Sequence, residues 1–235
     1  MNFERKQEES EFEERKTKYF SDFAVKHMAE MRILAEGGIL GSENKDWRNI
    51  SEHCLSEAVV ADILAEHLKA DRKGVAQATL LHDWYKRKEV EAMQEHGADA
   101  GYQKTTEEDE KELRKLGVPE HIVRLAHANI PESDEKEHVK SRSLEEKIVH
   151  FADHIIQGSE IVNFTERRRV LEQKKRNVEF SDSFKRQYSG KSLFDVQFED
   201  ICPSEQGEFE ESIGLEKGSL IDFLRNELRK RIDSV

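Results

Sequence analysis

The residues of this chain that could do chemistry are histidines and carboxylates set among apolar neighbours. His53 lies near the middle of a stripe that Val59, Val60, Ile63, Leu64, His67 and Leu68 form at helical spacing. A ring nitrogen on a core-facing stripe needs a partner, and for a lone histidine a backbone carbonyl is the ordinary one. His53 is not alone. The run Ala-Thr-Leu-Leu-His82-Asp83 sets an imidazole and a carboxylate side by side directly after an apolar stretch. Further on, Asp153 sits at the edge of a face carrying Val149, Ala152 and Ile156. A buried carboxylate is costly unless it is paired or binds a metal. His53, His82, Asp83 and Asp153 together make a mixed nitrogen and oxygen ligand set. It suits one or two ions of Mn, Fe, Co, Ni or Zn, and Mg less naturally.

Such residues need rigid elements to bring them together, and the sequence predicts helices. Only Pro119, Pro131 and Pro203 interrupt 235 residues, and alternating β-branched runs are scarce. The expected elements are a long amphipathic helix from Asn2 to Glu36 and a helix capped by Ser51 that runs to Leu68. A strongly apolar helix follows from Val75 to Asp83, then charged helices from Glu91 to His127 broken near Pro119. Asn129 to Ser141 reads as an exposed loop, Leu144 to Val162 as a buried helix and Thr165 to Arg176 as a basic one. Asp182 to Gly214 reads as irregular, with an extended piece at Leu193 to Phe198, and Leu220 to Ile232 as a closing helix. The expected organisation is an N-terminal helix over 1–44 packing on the core, a metal-binding domain over 45–165 and a helical extension over 166–235. Six phenylalanines from Phe180 to Phe223 predict that this extension packs on the core or on another subunit, which leaves room for a homodimer.

Composition narrows the function classes. The chain is 37% charged with a formal net charge of -12, which disfavours coating by long nucleic acid. No apolar run approaches the roughly 20 residues of a membrane span, and Met1 to Lys18 lacks the apolar centre of a signal peptide. Cys54 and Cys202, the two cysteines, cannot build a disulfide framework, so a reducing cytoplasm is the expected setting.

His53, then His82-Asp83, then Asp153, on helices in this order, resembles the HD superfamily of metal-dependent phosphohydrolases, over roughly residues 45–165. Leu80-Leu81 ahead of the doublet, Lys86 three residues after it and Ala152 before Asp153 add to the likeness. The resemblance implies an all-α, HD-domain helical bundle in which His53, His82, Asp83 and Asp153 bind the first ion, with Asp83 as the bridge to any second. It implies hydrolysis of a nucleotide or related small phosphoester by water that the metal activates. Lys86 either neutralises charge building up on the phosphate or is a surface lysine of the run Lys86-Arg87-Lys88. Arg48, ahead of the first ligand helix, either reaches a substrate phosphate or makes a structural salt bridge.

His127 and His96 are candidates for a second ion, since some HD subfamilies carry further histidines in this interval. The exposed helix end is the alternative for both. The phrase from Glu145 to Ile156 is similar to HD hydrolases that split diadenosine tetraphosphate. Tyr85 departs from the His-Asp-x-Gly form, Gly101-Tyr102 continues with Gln103, and the positions after the doublet are basic. These departures set the chain apart from the cyclic-di-GMP and alarmone hydrolases. The remaining histidines, His27, His67, His121, His138, His150 and His154, are expected to be structural or exposed, with His150 and His154 turned toward the polar side. The basic run Arg167-Arg168-Arg169 with Lys174-Lys175-Arg176 reads first as a solvated face partnered by Glu166 and Glu172, and otherwise as a lure for a polyanion. Two other classes stay open, a non-catalytic nucleotide- or protein-binding module and a di-iron oxygenase on the same scaffold.

Overall fold

Two helices supply most of the site, and a tight reversal sets them against each other. α3 (Arg48–Leu68) ends at Lys69, whose left-handed backbone (φ 59°) closes the last turn. Asp71 then caps α4 (Arg72–Leu81), its side chain accepting from the Gly74 amide at 3.1 Å. A Cβ at Gly74 would stand 2.5 Å from that carboxylate, so a larger residue there would have to shift the Asp71 side chain. α4 is almost wholly interior, with Val75, Ala76, Ala78, Thr79, Leu80 and Leu81 all buried against α3. The structure is a computed structural model and describes residues 3–40, 47–129 and 136–235.

The fold is all-α, with only a two-stranded hairpin besides helices among the described residues. α1 (Phe3–Lys26) and α2 (Met28–Glu36) replace the single helix expected up to Glu36. The chain turns at His27, whose amide bonds the Ala24 carbonyl at 3.1 Å, and Leu34 is thereby buried. α5 (Lys86–His96), α6 (Ala98–Lys115) and α7 (Glu120–Ala126) follow α4, and α7 packs back on it. Of the loop expected over 129–141, residues 130–135 lie outside the described residues, and α8 (Lys136–Ser141) is helical.

α9 (Leu144–Ile155) begins with a reciprocal cap. Ser143 accepts from the Glu146 amide, and the Glu146 carboxylate accepts from the Ser143 amide. The helix stops about two turns earlier than the expected end at Val162. β1 (Ile156–Gln157) and β2 (Glu160–Ile161) form an antiparallel hairpin with Ile156 opposite Ile161, turning at Gly158 (φ 64°). A left-handed glycine after two β-branched residues favours reversal over another helical turn.

Beyond the hairpin run α10 (Phe164–Glu172), α11 (Lys175–Ser183), α12 (Leu193–Asp195), a π-helical stretch over 196–201, α13 (Cys202–Ile213) and α14 (Leu220–Asp233). The irregular segment expected over 182–214, extended at 193–198, is instead largely helical. Ser192 caps α12 reciprocally with Asp195, and Pro203 occupies the first turn of α13. The backbone is helical on both sides of this proline, which sits where the π-helical stretch gives way to α13.

One contiguous core joins the three sequence regions. Phe23 and Leu34 pack with Leu64, Leu80 and Phe151, and Phe209 and Leu224 close the same cluster from the C-terminal side. A smaller cluster of Met93, Tyr102, Phe184 and Leu193 ties α5 and α6 to the C-terminal segment. No helix among the described residues is long and apolar enough to cross a membrane.

Glu30 is a buried charge that anchors α2 to α4, accepting from Gln77 at 2.5 Å with His27 nearby at 3.8 Å. Burial works against its charge, but the bonds from His27 and Gln77 outweigh that and hold its pKa below the ordinary value of 4.5. Its stabilisation is therefore present above that value and lost as pH falls through the folded-state pKa. Glu30→Gln should cost about 1–2 kcal/mol at pH 7, and the gap to the parent should narrow in acid well below the ordinary carboxylate range. Urea unfolding at pH 7 and in acid measures both.

Candidate metal centre

α3 delivers the first imidazole and an unexpected carboxylate beside it. His53 and Glu57 are one turn apart, and the His53 Nε2 stands 2.5 Å from Glu57 Oε1. Glu57 is wholly buried and reaches His82 Nε2 with its other oxygen at 3.2 Å. His82 caps the C-terminal end of α4, where its Nδ1 donates to the Thr79 carbonyl at 2.8 Å. That bond leaves the Nε2 lone pair facing the cluster, the tautomer a metal requires. Asp153, near the end of α9, brings Oδ1 to 3.4 Å from His53 Nε2 and 4.0 Å from His82 Nε2.

His53, Glu57, His82 and Asp153 each offer one ligand atom, all within 4.8 Å of one another, so this group could hold a metal ion. The hydrogen bonding supports that fit. His82 Nε2 and both Glu57 oxygens are buried and make no hydrogen bond, although their neighbours lie within reach. Donor atoms that converge without bonding one another are arranged for a cation between them. Asp83 stands slightly apart. Its Oδ2 is 3.7 Å from His82 Nε2, and its Oδ1 is 3.5 Å from Lys86 Nζ.

The electrostatics lead the same way. Burial opposes charge on Asp153, but the His53 hydrogen bond, His82 and Arg167 hold its carboxyl well below the usual range. Burial likewise opposes charge on Asp83, and Lys86 and then His82 pull its pKa down. Lys86 is itself pushed up by Asp83 and Glu89, against burial. Burial raises Glu57, whereas the Glu57 carboxylate raises His53 to about 10 despite burial.

Arg167 on α10 borders the cluster. Its guanidinium bonds Gln157 at 2.9 Å and lies 3.4 Å from His53 Nε2 and 3.6 Å from Asp153. Asn129 donates to Asp153 Oδ2 at 3.3 Å. A cleft of about 510 Å³ opens over the cluster, and Lys86, Arg167, Lys174 and Arg176 all line it. The basic run is therefore divided rather than uniformly solvated. Arg168 is held by Glu172, Asp195 and Glu199, while its neighbour Arg167 turns inward.

No family model, curated protein or solved structure matches the chain. The site is thus judged on its own atoms.

Of the residues expected to act, His53, His82, Asp83, Lys86 and Asp153 line one cleft. His127 lines it too, but its Nε2 faces Asp109 at 3.3 Å and its Nδ1 donates to the Val123 carbonyl at 2.8 Å. Asp109 also takes the Trp84 indole N–H. His96 lies at the exposed end of α5 beside Lys104, away from the cluster. Arg48 opens α3, but its side chain lies outside the described residues, as does that of His138. His150 and His154 are not turned to a polar side. Both are buried, because α13 and the π-helical stretch cover the face of α9 expected to be open.

Glu57, Asn129 and Arg167 were not singled out from the sequence. Glu57 left a signal, since a glutamate one turn after His53 and directly before Ala58, Val59 and Val60 cannot reach solvent from the same stripe. An ion entering between His53 and Glu57 must displace the proton that the Glu57 carboxylate keeps on His53, whose pKa it raises to about 10 against burial. Binding of Mn or Co should release roughly one proton per ion near neutral pH, and apparent affinity should rise with pH. Calorimetry in buffers of different ionisation enthalpy reads the proton count, and pH-independent binding would refute it.

Proposed function

We propose that this chain is a metal-dependent phosphohydrolase of the HD type, acting on a nucleotide or a related small phosphoester. The observation that carries the reading is the convergence of His53, His82 and Asp153 on one point, with Asp83 beside them, in a cleft that Lys86, Arg167, Lys174 and Arg176 line together with Glu89 and Asp109. An acidic ligand set with four cations along the same cleft suits a metal below and an anion above.

His53, Glu57, His82 and Asp153 would hold the ion, with Asp83 at its edge. A bound divalent ion would supply Lewis acidity and lower the pKa of a water for attack on phosphorus. The remaining work falls to protein side chains. Arg167 is fixed by Gln157 and presents a guanidinium to the cleft, where it would orient phosphate oxygens. Lys86 is drawn toward Asp83 and Glu89 (3.5 and 2.9 Å), so its ammonium stays charged and positioned to meet charge that develops on the phosphate. Lys174 and Arg176, farther along the wall, would meet additional phosphates. Trp47, Tyr102 and Phe180 offer apolar faces in the same cleft, which suits a base better than a bare sugar phosphate.

The test is metal analysis of purified protein followed by assay of a panel of nucleotides with Mn or Co. His82→Ala and Asp83→Ala should each lower hydrolysis by about 1,000-fold or more, since the ion's charge stabilisation is worth several kcal/mol. Lys86→Met should lower kcat by about 100-fold while leaving metal content unchanged. Absence of bound metal together with no activity in any added metal would defeat the enzyme reading. Full activity in Asp83→Ala would defeat the site assignment.

A further inference from the structure

Beside the cleft, which His154 also lines, His150, His154 and Cys202 meet in the interior. Two imidazole nitrogens and the thiol sulfur lie within 4.8 Å of one another, and all three residues are buried. His150 and His154 stand one turn apart on α9, with ring centroids 4.2 Å apart. This i,i+4 spacing on one helix face lets two imidazoles share an ion.

Both rings are oriented from behind. His150 Nδ1 stands 2.7 Å from Glu205 Oε2, and the same carboxylate meets Arg142 at 3.3 Å through its other oxygen. His154 Nδ1 donates to the His150 carbonyl at 2.7 Å. A partner at Nδ1 turns Nε2 toward whatever lies on the other side of the ring, the arrangement in which carboxylates and carbonyls support metal-binding histidines. Cys202 arrives where the π-helical stretch ends and α13 begins. That backbone form concentrates at functional sites, because the extra residue re-aims the side chains that follow.

We propose that His150, His154 and Cys202 form a second metal site that takes zinc or a similar borderline-soft ion, with Glu205 positioning His150. A thiolate with two imidazoles selects against Mg, Mn and Ca, in contrast to the carboxylate-rich cluster nearby. The site joins α13 to α9, the helix that carries Asp153. It does not rest on the phosphohydrolase reading, since none of its three ligands belongs to the other ligand set.

Cobalt(II) is the probe. The metal-free full chain titrated with cobalt should show a thiolate-to-cobalt charge-transfer band in the near ultraviolet. The chain has two cysteines, and Cys54 lies beside His53, so Cys54→Ala makes Cys202 the sole thiol. The band should persist in Cys54→Ala and in His82→Ala, which disables the other cluster. It should vanish in Cys202→Ser and weaken in His150→Gln, and zinc content should fall by about one ion per chain in Cys202→Ser. A Cys54→Ala protein without the band overturns the proposal, even if Cys202→Ser fails to fold. A band that survives Cys202→Ser overturns it as well. A parent chain that shows the band but hydrolyses no nucleotide in any added metal would count against the phosphohydrolase reading alone.

Discussion

A carboxylate with no access to water, on a helix whose neighbouring residues are all core, is the constraint around which this structure is built. Glu57 can be accommodated only if something charged or hydrogen-bonding is brought to it. His53 comes from its own helix and His82 from the end of the next, so the α3–α4 reversal is fixed by polar as well as apolar demands. Asp153 then adds a second negative charge to the same small volume, and Arg167 and Lys86 balance it only from the rim. Excess negative charge focused between two imidazoles makes a cation the natural occupant.

The surrounding helices can be understood as supports for that arrangement. Asp71 and Gly74 hold the start of α4, and Thr79 orients the His82 ring at its end. The Ser143–Glu146 cap fixes where α9 begins, and hence how far along it Asp153 falls. The terminal segments belong to the same core, since Phe23 and Leu34 on one side and Phe209 and Leu224 on the other pack with Leu64, Leu80 and Phe151. Replacing any of the fully buried leucines by alanine would therefore be felt across the molecule, at a cost of about 2–5 kcal/mol.

Much of the helical architecture was legible because apolar periodicity and scarce proline are direct statements about backbone and burial. His53, His82, Asp83 and Asp153 were legible for a related reason, as polar side chains on apolar faces. What stayed hidden depended on which element covers which face. Nothing local to His150 and His154 reveals that α13 lies over them, and the segment 182–214 reads as irregular because Pro203 signals a break that the helical backbone around it does not make. Arg167 could not be told from Arg168 by composition, since only the hairpin at 156–161 decides which of the two turns inward. Glu57 is the instructive omission. It lay on the same stripe as His53, but a glutamate in a chain this charged passes for a surface residue.

The hairpin also bears on chain entropy. Asp153 and Arg167 flank it closely in sequence, whereas His53 must come from about a hundred residues away. Closing the short segment is cheaper by roughly 2 kcal/mol of chain entropy. The loop-closure cost therefore falls mainly on bringing in the distant imidazole, not on pairing Asp153 with Arg167. The hairpin is also clamped by the core it borders: Ile156 and Ile161 are buried in the main cluster, and Arg225 from α14 donates to the Ile161 carbonyl, so a contact from the far end of the chain holds the turn that spaces Asp153 from Arg167.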